Sequence, residues 1–326
     1  MAAFDATFLN NFTRAHFLPA MENQLYNEHV MFNILKKKGS VKSMTGTSLT
    51  WGIVTSEHAS TGLTGGYHVM ANQPTNPTQV CTLSPAKYYG TIAISADEER
   101  MNSGNKEKLA DLLTIQSENC YATIENDMVA DLYGSATSRG DFNTLVGLAK
   151  ICAIDRSYAG VDSTTYTVWD SNVDSTAHTI ANLKDAGSTS YISTIMATQF
   201  TNASWNKGVP DVIVSDAATW NLYQDIIGFT NLRMDNSIAD IGFEAVKYRG
   251  GASYVFDKDC TANYMYMLNT KTLSFYTYPG ANFSLAEPGF YVPNGQDAKC
   301  GHVIWFGQLV CKSPRSNAVL SSIGAS

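Results

Sequence analysis

From Ser43 to Ala86 the chain carries no Lys and no Arg, and its single acid is Glu57. Thr, Ser, Gly, Pro and Asn dominate this stretch. Its middle, TGLTGGYHVMANQPTNPT, is turn chemistry throughout. A structureless loop of this length is uncommon inside a compact domain. Short runs of β type occur in and after it, at Ser48–Val54, Gln79–Leu83 and Tyr88–Ser95. The pattern predicts an extended two-stranded arm over residues 39–95. An arm that displays Trp51, Tyr67, Val69 and Met70 with almost no charge is poorly suited to standing alone in water. It is suited to lying on a neighbour. His58 and His68 both fall in it and read as polar loop positions.

Composition sharpens the point. Only 16% of the 326 residues are charged, against 44% apolar, and soluble domains carry roughly 25% charge. The chain is either a merely neutral globular protein or one whose surface is meant for burial in an assembly. The net charge of −7 excludes a nucleic-acid binder that works by bulk electrostatics, because that affinity comes from neutralising phosphates with Lys and Arg. The one basic run, Lys36, Lys37 and Lys38, follows an amphipathic stretch. It reads as a helix C-terminal turn ended by Gly39, with a phosphate or scaffold contact as the alternative. The start has no basic region followed by an apolar core, so no secretory signal is expected, and no run of apolar residues is long enough to span a membrane. Six cysteines at 81, 120, 152, 260, 300 and 311 form no Cys-x-x-Cys. They read as free thiols of a reducing compartment.

The rest of the chain divides by pattern. Phe8, Phe12, Leu18, Leu25, Phe32 and Leu35 fall at helical spacing over residues 1–38, interrupted by Pro19. Residues 103–133 are the clearest helix. Asn102 and Ser103 are its capping candidates and Gly134 its stop. Leu109, Leu113, Cys120, Ile124 and Met128 share one face, with Leu112, Ile115 and Leu132 beside it. Asp97, Glu98, Glu99 and Arg100 read as a solvated helix start, with a metal or cross-subunit salt-bridge role as the alternative. A helix is expected from Tyr191 to Phe200. It is followed by a buried strand, Val212–Val214, a Ser215/Asp216 cap and a helix to Gly228. The last hundred residues are β-rich, and Val303–Phe306 is apolar on both faces, as in a central strand. In YMYMLNTKTLSFYTYP, Tyr264, Tyr266, Tyr276 and Tyr278 are either sheet packing or contact surface.

The chemistry of catalysis is thin. There is no P-loop, no Gly-x-Gly-x-x-Gly after a strand and no Gly-x-Ser-x-Gly elbow. The six histidines never take metal-ligand spacing. Ser-x-x-Lys occurs at Ser84–Lys87 and Ser204–Lys207 without the partner motifs such an enzyme needs. The expectation is no catalytic residue, no metal and no cofactor.

The order of segments carries a resemblance. PDVIVSDAATWNLYQD is followed by DIGFEAVKYRGGASYVFDKDC, then YMYMLNTKTLSFY, then WFGQLVCKSPRSNAVLSSI. With the arm and long helix before them, they resemble the major capsid proteins of tailed bacteriophages, the Hong Kong 97-type fold. The resemblance implies an α+β chain with an N-arm at 1–38 and an extended β-loop at 39–95. A peripheral domain with the spine helix follows at 96–144, then a mixed α/β axial domain at 145–265. Residues 266–326 would return to the peripheral sheet. It further implies a structural protein, not an enzyme, that forms hexamers and pentamers of an icosahedral head shell around double-stranded DNA, contacted non-specifically. Its partners would be a portal, a scaffolding protein and a decoration (cement) protein, in a virion capsid assembled in the bacterial cytoplasm and away from membranes. An encapsulin-like nanocompartment shell and a β-rich tail or decoration protein are the rival readings. The short arm leads to the expectation of a separate scaffolding protein. The lack of Lys between Ser43 and Ala86 argues against a covalent loop cross-link. Candidate assembly contacts are Phe8, Phe12 and Lys36–Lys38 in the arm, Trp51, Glu57, Tyr67 and His68 in the loop, and Arg100 near the spine.

Overall fold

The computed structural model describes residues 29–37, 41–70, 73–101, 106–205, 208–227, 245–286 and 289–324, without the side chains of Lys36 and of 106–113. Phe8, Phe12, Lys38, the capping candidates Asn102 and Ser103, and the Gly-Phe-Glu segment at 242–244 lie outside these residues. So do the side chains of Leu109, Leu112 and Leu113.

Two sheets organise the fold. The first has four strands in the order β1 (Val41–Ser43), β14 (Leu273–Leu285), β15 (Ala298–Cys311), β4 (Ala86–Ser95). Its centre is the predicted apolar strand, but the two faces differ. Val303 and Trp305 are buried, whereas Ile304 and Phe306 are half-buried. The buried face is covered by α3 (Lys106–Tyr133), a rod of roughly 40 Å at 1.5 Å per residue. Its Ile124, Met128 and Leu132 are buried and Cys120 half-buried, the stripe the periodicity predicted. The helix ends before Gly134, whose N–H donates to the Asp131 carbonyl at 3.1 Å. Short helix α2 (Ala96–Met101) connects β4 towards it.

The second sheet has six strands: β11 (Ala245–Lys247), β12 (Ser253–Phe256), β10 (Val212–Ser215), β13 (Met265–Leu268), β16 (Ala318–Leu320) and β9 (Asn172–Asp174). Its central strands are apolar on both sides because both sides are covered. Alternation sorts the residues between two cores. Ile213, Tyr254, Met265, Met267 and Leu320 meet α6 (Ile192–Ala203) and α7 (Ala217–Ile227). There Trp220 stands edge-on to Tyr254 with ring centroids 4.6 Å apart. Val212, Val214, Val255, Tyr266 and Leu268 face the other way, into the core shared with α3, the first sheet and α1 (Val30–Lys37). The predicted strand-to-helix turn is present. The Asp216 carbonyl accepts from Trp220 N–H at 3.0 Å, and its carboxylate accepts from the Thr219 hydroxyl.

The YMYML segment is thus sheet packing. Tyr266 is fully buried, Tyr264 stacks on it at 6.0 Å, and Tyr278 stacks on Phe306 at 4.3 Å.

Residues 266–326 do not return to one sheet. β14 and β15 lie in the four-stranded sheet, while β13 and β16 pair inside the six-stranded one. The chain crosses between sheets at 269–272 and again at 312–317. The crossings lie side by side. Asn269 N–H donates to Asn317 Oδ1 at 2.8 Å, and Lys312 N–H donates to the Thr272 carbonyl at 3.0 Å. Sequence pattern cannot show this, because a short apolar strand looks the same in either sheet.

Among the described residues there are also three two-stranded ladders. β2 (Leu49–Val54) pairs with β3 (Thr78–Leu83), β5 (Ser138–Arg139) with β6 (Phe142–Asn143), and β7 (Ser157–Tyr158) with β8 (Val161–Asp162). The short helices α4 (Leu148–Ile151) and α5 (Ile180–Lys184) lie in the connections.

Candidate assembly surfaces

The β2–β3 ladder is the base of the arm. One side of β2, with Leu49, Trp51 and Ile53, packs on the core, while Thr50, Gly52 and Val54 face out. Trp51 is therefore half-buried, and its indole N–H has no hydrogen-bond partner among the described residues. Beyond the ladder, cross-links between the limbs are few and polar. Thr55 N–H donates to the Pro77 carbonyl at 2.7 Å, Ala59 N–H to Thr75 Oγ1 at 3.2 Å, and the Ser60 hydroxyl to the Gln73 carbonyl at 3.0 Å. At the tip, Leu63 and Tyr67 are fully exposed, and Val69 and Met70 are largely so. Glu57 and His68 are exposed as well. Tyr67 and His68 thus lie together at the tip, whereas Glu57 lines a groove near the base with Trp169, Trp205 and Arg315, and Trp51 packs at the base itself. Leu63 was not singled out by the sequence, since a Leu in a turn-rich run carries no sign of its exposure.

The α2 region is more closely built than its sequence implies. Ser95 Oγ accepts from Glu98 N–H at 3.2 Å, and Glu98 Oε2 accepts from Ser95 N–H at 3.0 Å. This is a reciprocal capping box, legible as Ser-x-x-Glu. It buries Glu98, which corrects the reading of that acid as solvated. Asp97 and Arg100 are exposed, and Glu99 is half-buried. Arg100 pairs with Asp97 at 3.2 Å and with Asp297 at 2.9 Å, and Lys299 pairs with Glu99 at 2.7 Å. The acids and Arg100 thus tie α2 to the start of β15.

Lys37 ends α1, where a cation complements the helix dipole, and the expected stop Gly39 lies outside the described residues. Lys37 is exposed. The structure does not bring Lys37, Arg100 and the arm tip together as one site. A second exposed apolar group was missed. Phe142 and Tyr89 border a cleft of about 540 Å³ with Ile304, His302 and Arg139. On its floor Tyr88 donates to Asp131 at 2.6 Å, and Asp131 pairs with Arg139 at 2.8 Å. Burial, followed by the Asp131 hydrogen bond, holds the Tyr88 phenol above its ordinary value.

Among the described residues no cluster of three or more His, Cys, Asp or Glu could hold a metal ion. None of the described helices is long and apolar enough to cross a membrane.

No family model matches the sequence, and no curated protein does. Solved structures match along the whole chain. The capsid of cyanophage A-1(L) superposes with a TM-score of 0.67 at 18% identity, covering 96% of this chain and 97% of that one. The capsid of a native GTA particle gives 0.64 at 9% identity, with 98% of each chain covered. The SrpI encapsulin of Synechococcus elongatus PCC 7942 gives 0.59 at 9% identity, covering 99% of this chain and 96% of that one. The fold is thus that of the capsid and encapsulin subunits on which it superposes. It is the Hong Kong 97-type capsid fold, with the long helix laid on a four-stranded sheet and a second, mixed sheet flanked by helices.

Proposed function

We propose that this chain is a structural protein that self-assembles into an icosahedral shell, the head of a tailed phage enclosing double-stranded DNA. The carrying observation is the arm. It exposes Leu63, Tyr67, Val69 and Met70 on a projection with little internal bonding, within a fold shared end to end with capsid subunits. Apolar surface of this kind is ordinarily covered by partner protein. Obligate interfaces bury roughly 2,000–5,000 Å² and favour aromatic and Met side chains.

In this reading residues 1–38 act as an N-arm, and the extended loop that lies on a neighbour is the part of 39–95 between β1 and β4, since those two strands are edges of the four-stranded sheet. Residues 96–144 form the peripheral body, and the six-stranded sheet lies in the axial domain, whose tips meet in hexamers and pentamers. Subunits close head-to-tail into rings. A separate scaffolding protein, a portal and a cement protein complete the head, which forms in the host cytoplasm. The net charge of −7 suits a container that must not grip its DNA through counterion release.

The likeness to the SrpI encapsulin supports a second reading, a nanocompartment shell holding protein cargo. Negative-stain microscopy of the sedimentable fraction, with the chain expressed alone and with candidate scaffold genes, tests both. Shells, rings, tubes or capsomer sheets are expected, and the nucleic-acid content of particles from infected cells separates the readings. A monomer or small dimer under every condition would discard the shell.

A further inference from the structure

The first turn of α1 is capped from the far end of the chain. Met31 N–H donates to Asp257 Oδ2 at 3.1 Å, across 226 residues. An N-cap is ordinarily the side chain just before the helix. Here that residue is His29, whose Nδ1 lies 2.7 Å from Asp259 Oδ2 instead. Tyr133, the last residue of α3, donates its hydroxyl to the same Asp257 Oδ2 at 2.8 Å. Asp259 N–H donates to Asp257 Oδ1 at 3.0 Å. His29 and Asp257 are both buried. The start of α1, the end of α3 and the end of β12 thus converge on one carboxylate and one imidazole.

We propose that this junction is a proton-sensitive clasp, in which charged His29 paired with Asp259 holds the start of α1 to the body of the subunit, and loss of its proton loosens it. The acids that act on the imidazole are Asp257 and Asp259, from the segment after β12, and Glu125, from α3; Tyr133 and Cys260 lie against Asp257 in turn, and Lys258 is in the same segment. Deprotonation withdraws the cation that stands among the carboxylates of Asp259, Asp257 and Glu125. The electrostatics agree with the geometry. The hydrogen bond to Asp259 raises the His29 pKa above its ordinary 6.5, and the charges of the three acids add to it against the effect of burial. A group held protonated by the fold contributes stability that is complete below its unfolded pKa and is lost as pH rises through the folded one. Asp257 is also shifted upward, burial being the main cause, so its contribution has the same sign. The clasp therefore closes on mild acidification and opens towards alkaline pH.

Hydrogen exchange of the full chain, read by mass spectrometry and corrected for intrinsic rates, tests this between about pH 6 and about pH 8.5. Peptides from α1 are expected to lose protection by about threefold or more over that range, while peptides from α7 keep theirs. His29→Gln and Asp259→Asn are expected to flatten the α1 profile. Asp259 is partly exposed, so its variant keeps the fold, and the α7 peptides report if either variant does not. A flat α1 profile in the native chain, or an unchanged slope in a folded His29→Gln or Asp259→Asn variant, overturns the clasp.

Discussion

Gly90 on β4 sits against Cys120 on α3 so closely that a β-carbon at Gly90 would overlap the cysteine sulfur and stand 3.1 Å from Ile124 Cδ1. The glycine lets the spine helix close on its sheet. Gly90→Ala is expected to cost about 1–3 kcal/mol, the range for overpacking. Adding Cys120→Ala should recover part of the loss. A double-mutant cycle in urea measures it, and strict additivity would deny the contact.

Arg156 is a buried guanidinium that works as a bracket. It donates to the carbonyls of Lys150 at 2.6 Å, Ile151 at 2.6 Å and Trp169 at 3.1 Å. Asp170 stands 3.8 Å away. Burial lowers its pKa. Arg156→Met would strand three carbonyls, and a loss of about 3–5 kcal/mol is expected. Arg156→Lys should rescue little, because an ammonium cannot reproduce the planar fork. Full stability in Arg156→Met would show that the bracket is dispensable.

Burial pushes the thiols of Cys81 and Cys311 up to about 11 and that of Cys152 up to about 12. The thiolate is the reactive form. Peptide mapping after iodoacetamide treatment at about pH 8 should find these three cysteines unmodified in the folded chain. They should be fully modified in denaturant. Labelling of Cys152 before unfolding would contradict its place in the core.

Among the described residues Arg100 pairs at the surface with Asp97 and Asp297, and exposed pairs of this kind contribute about 0–1 kcal/mol each. Arg100→Ala should leave the melting temperature of the unassembled chain nearly unchanged. If Arg100 is an assembly contact, the same variant should cut the yield of shells, more so at low salt, where exposed charges act at longer range. Equal shell yield would remove Arg100 from the interface.

Replacing Leu63, Tyr67, Val69 and Met70 together by Ser should spare the fold, since each already lies in solvent. Sedimentation should then find soluble subunits or incomplete rings in place of shells. Unimpaired assembly would show that the tip is not a contact.

Local pattern was legible wherever one periodicity ruled. The arm strands, the spine stripe through Cys120, Ile124, Met128 and Leu132, and the turn at Asp216 all follow from spacing and capping. What was hidden is non-local. Nothing near Met31 announces that Asp257 will cap it, and nothing in DRSYAGVD announces that Arg156 will bind three carbonyls. β13 and β14 are neighbours in sequence with similar composition, yet they belong to different sheets. Exposure at Leu63, Phe142 and Tyr89 is likewise a property of what fails to pack on them. The capping box at Ser95 and Glu98 could have been read and was passed over as ordinary surface charge.

The paired crossings at 269–272 and 312–317 have a mechanical meaning. The two sheets share one apolar core, and the crossings add a second, covalent link between them that resists slippage of one sheet past the other. The link is backbone, stitched by Asn269 to Asn317 and by Lys312 to Thr272. Load applied to one sheet reaches the other through that backbone and through the shared core. A change that cuts Asn269 from Asn317 is therefore felt by both sheets at once.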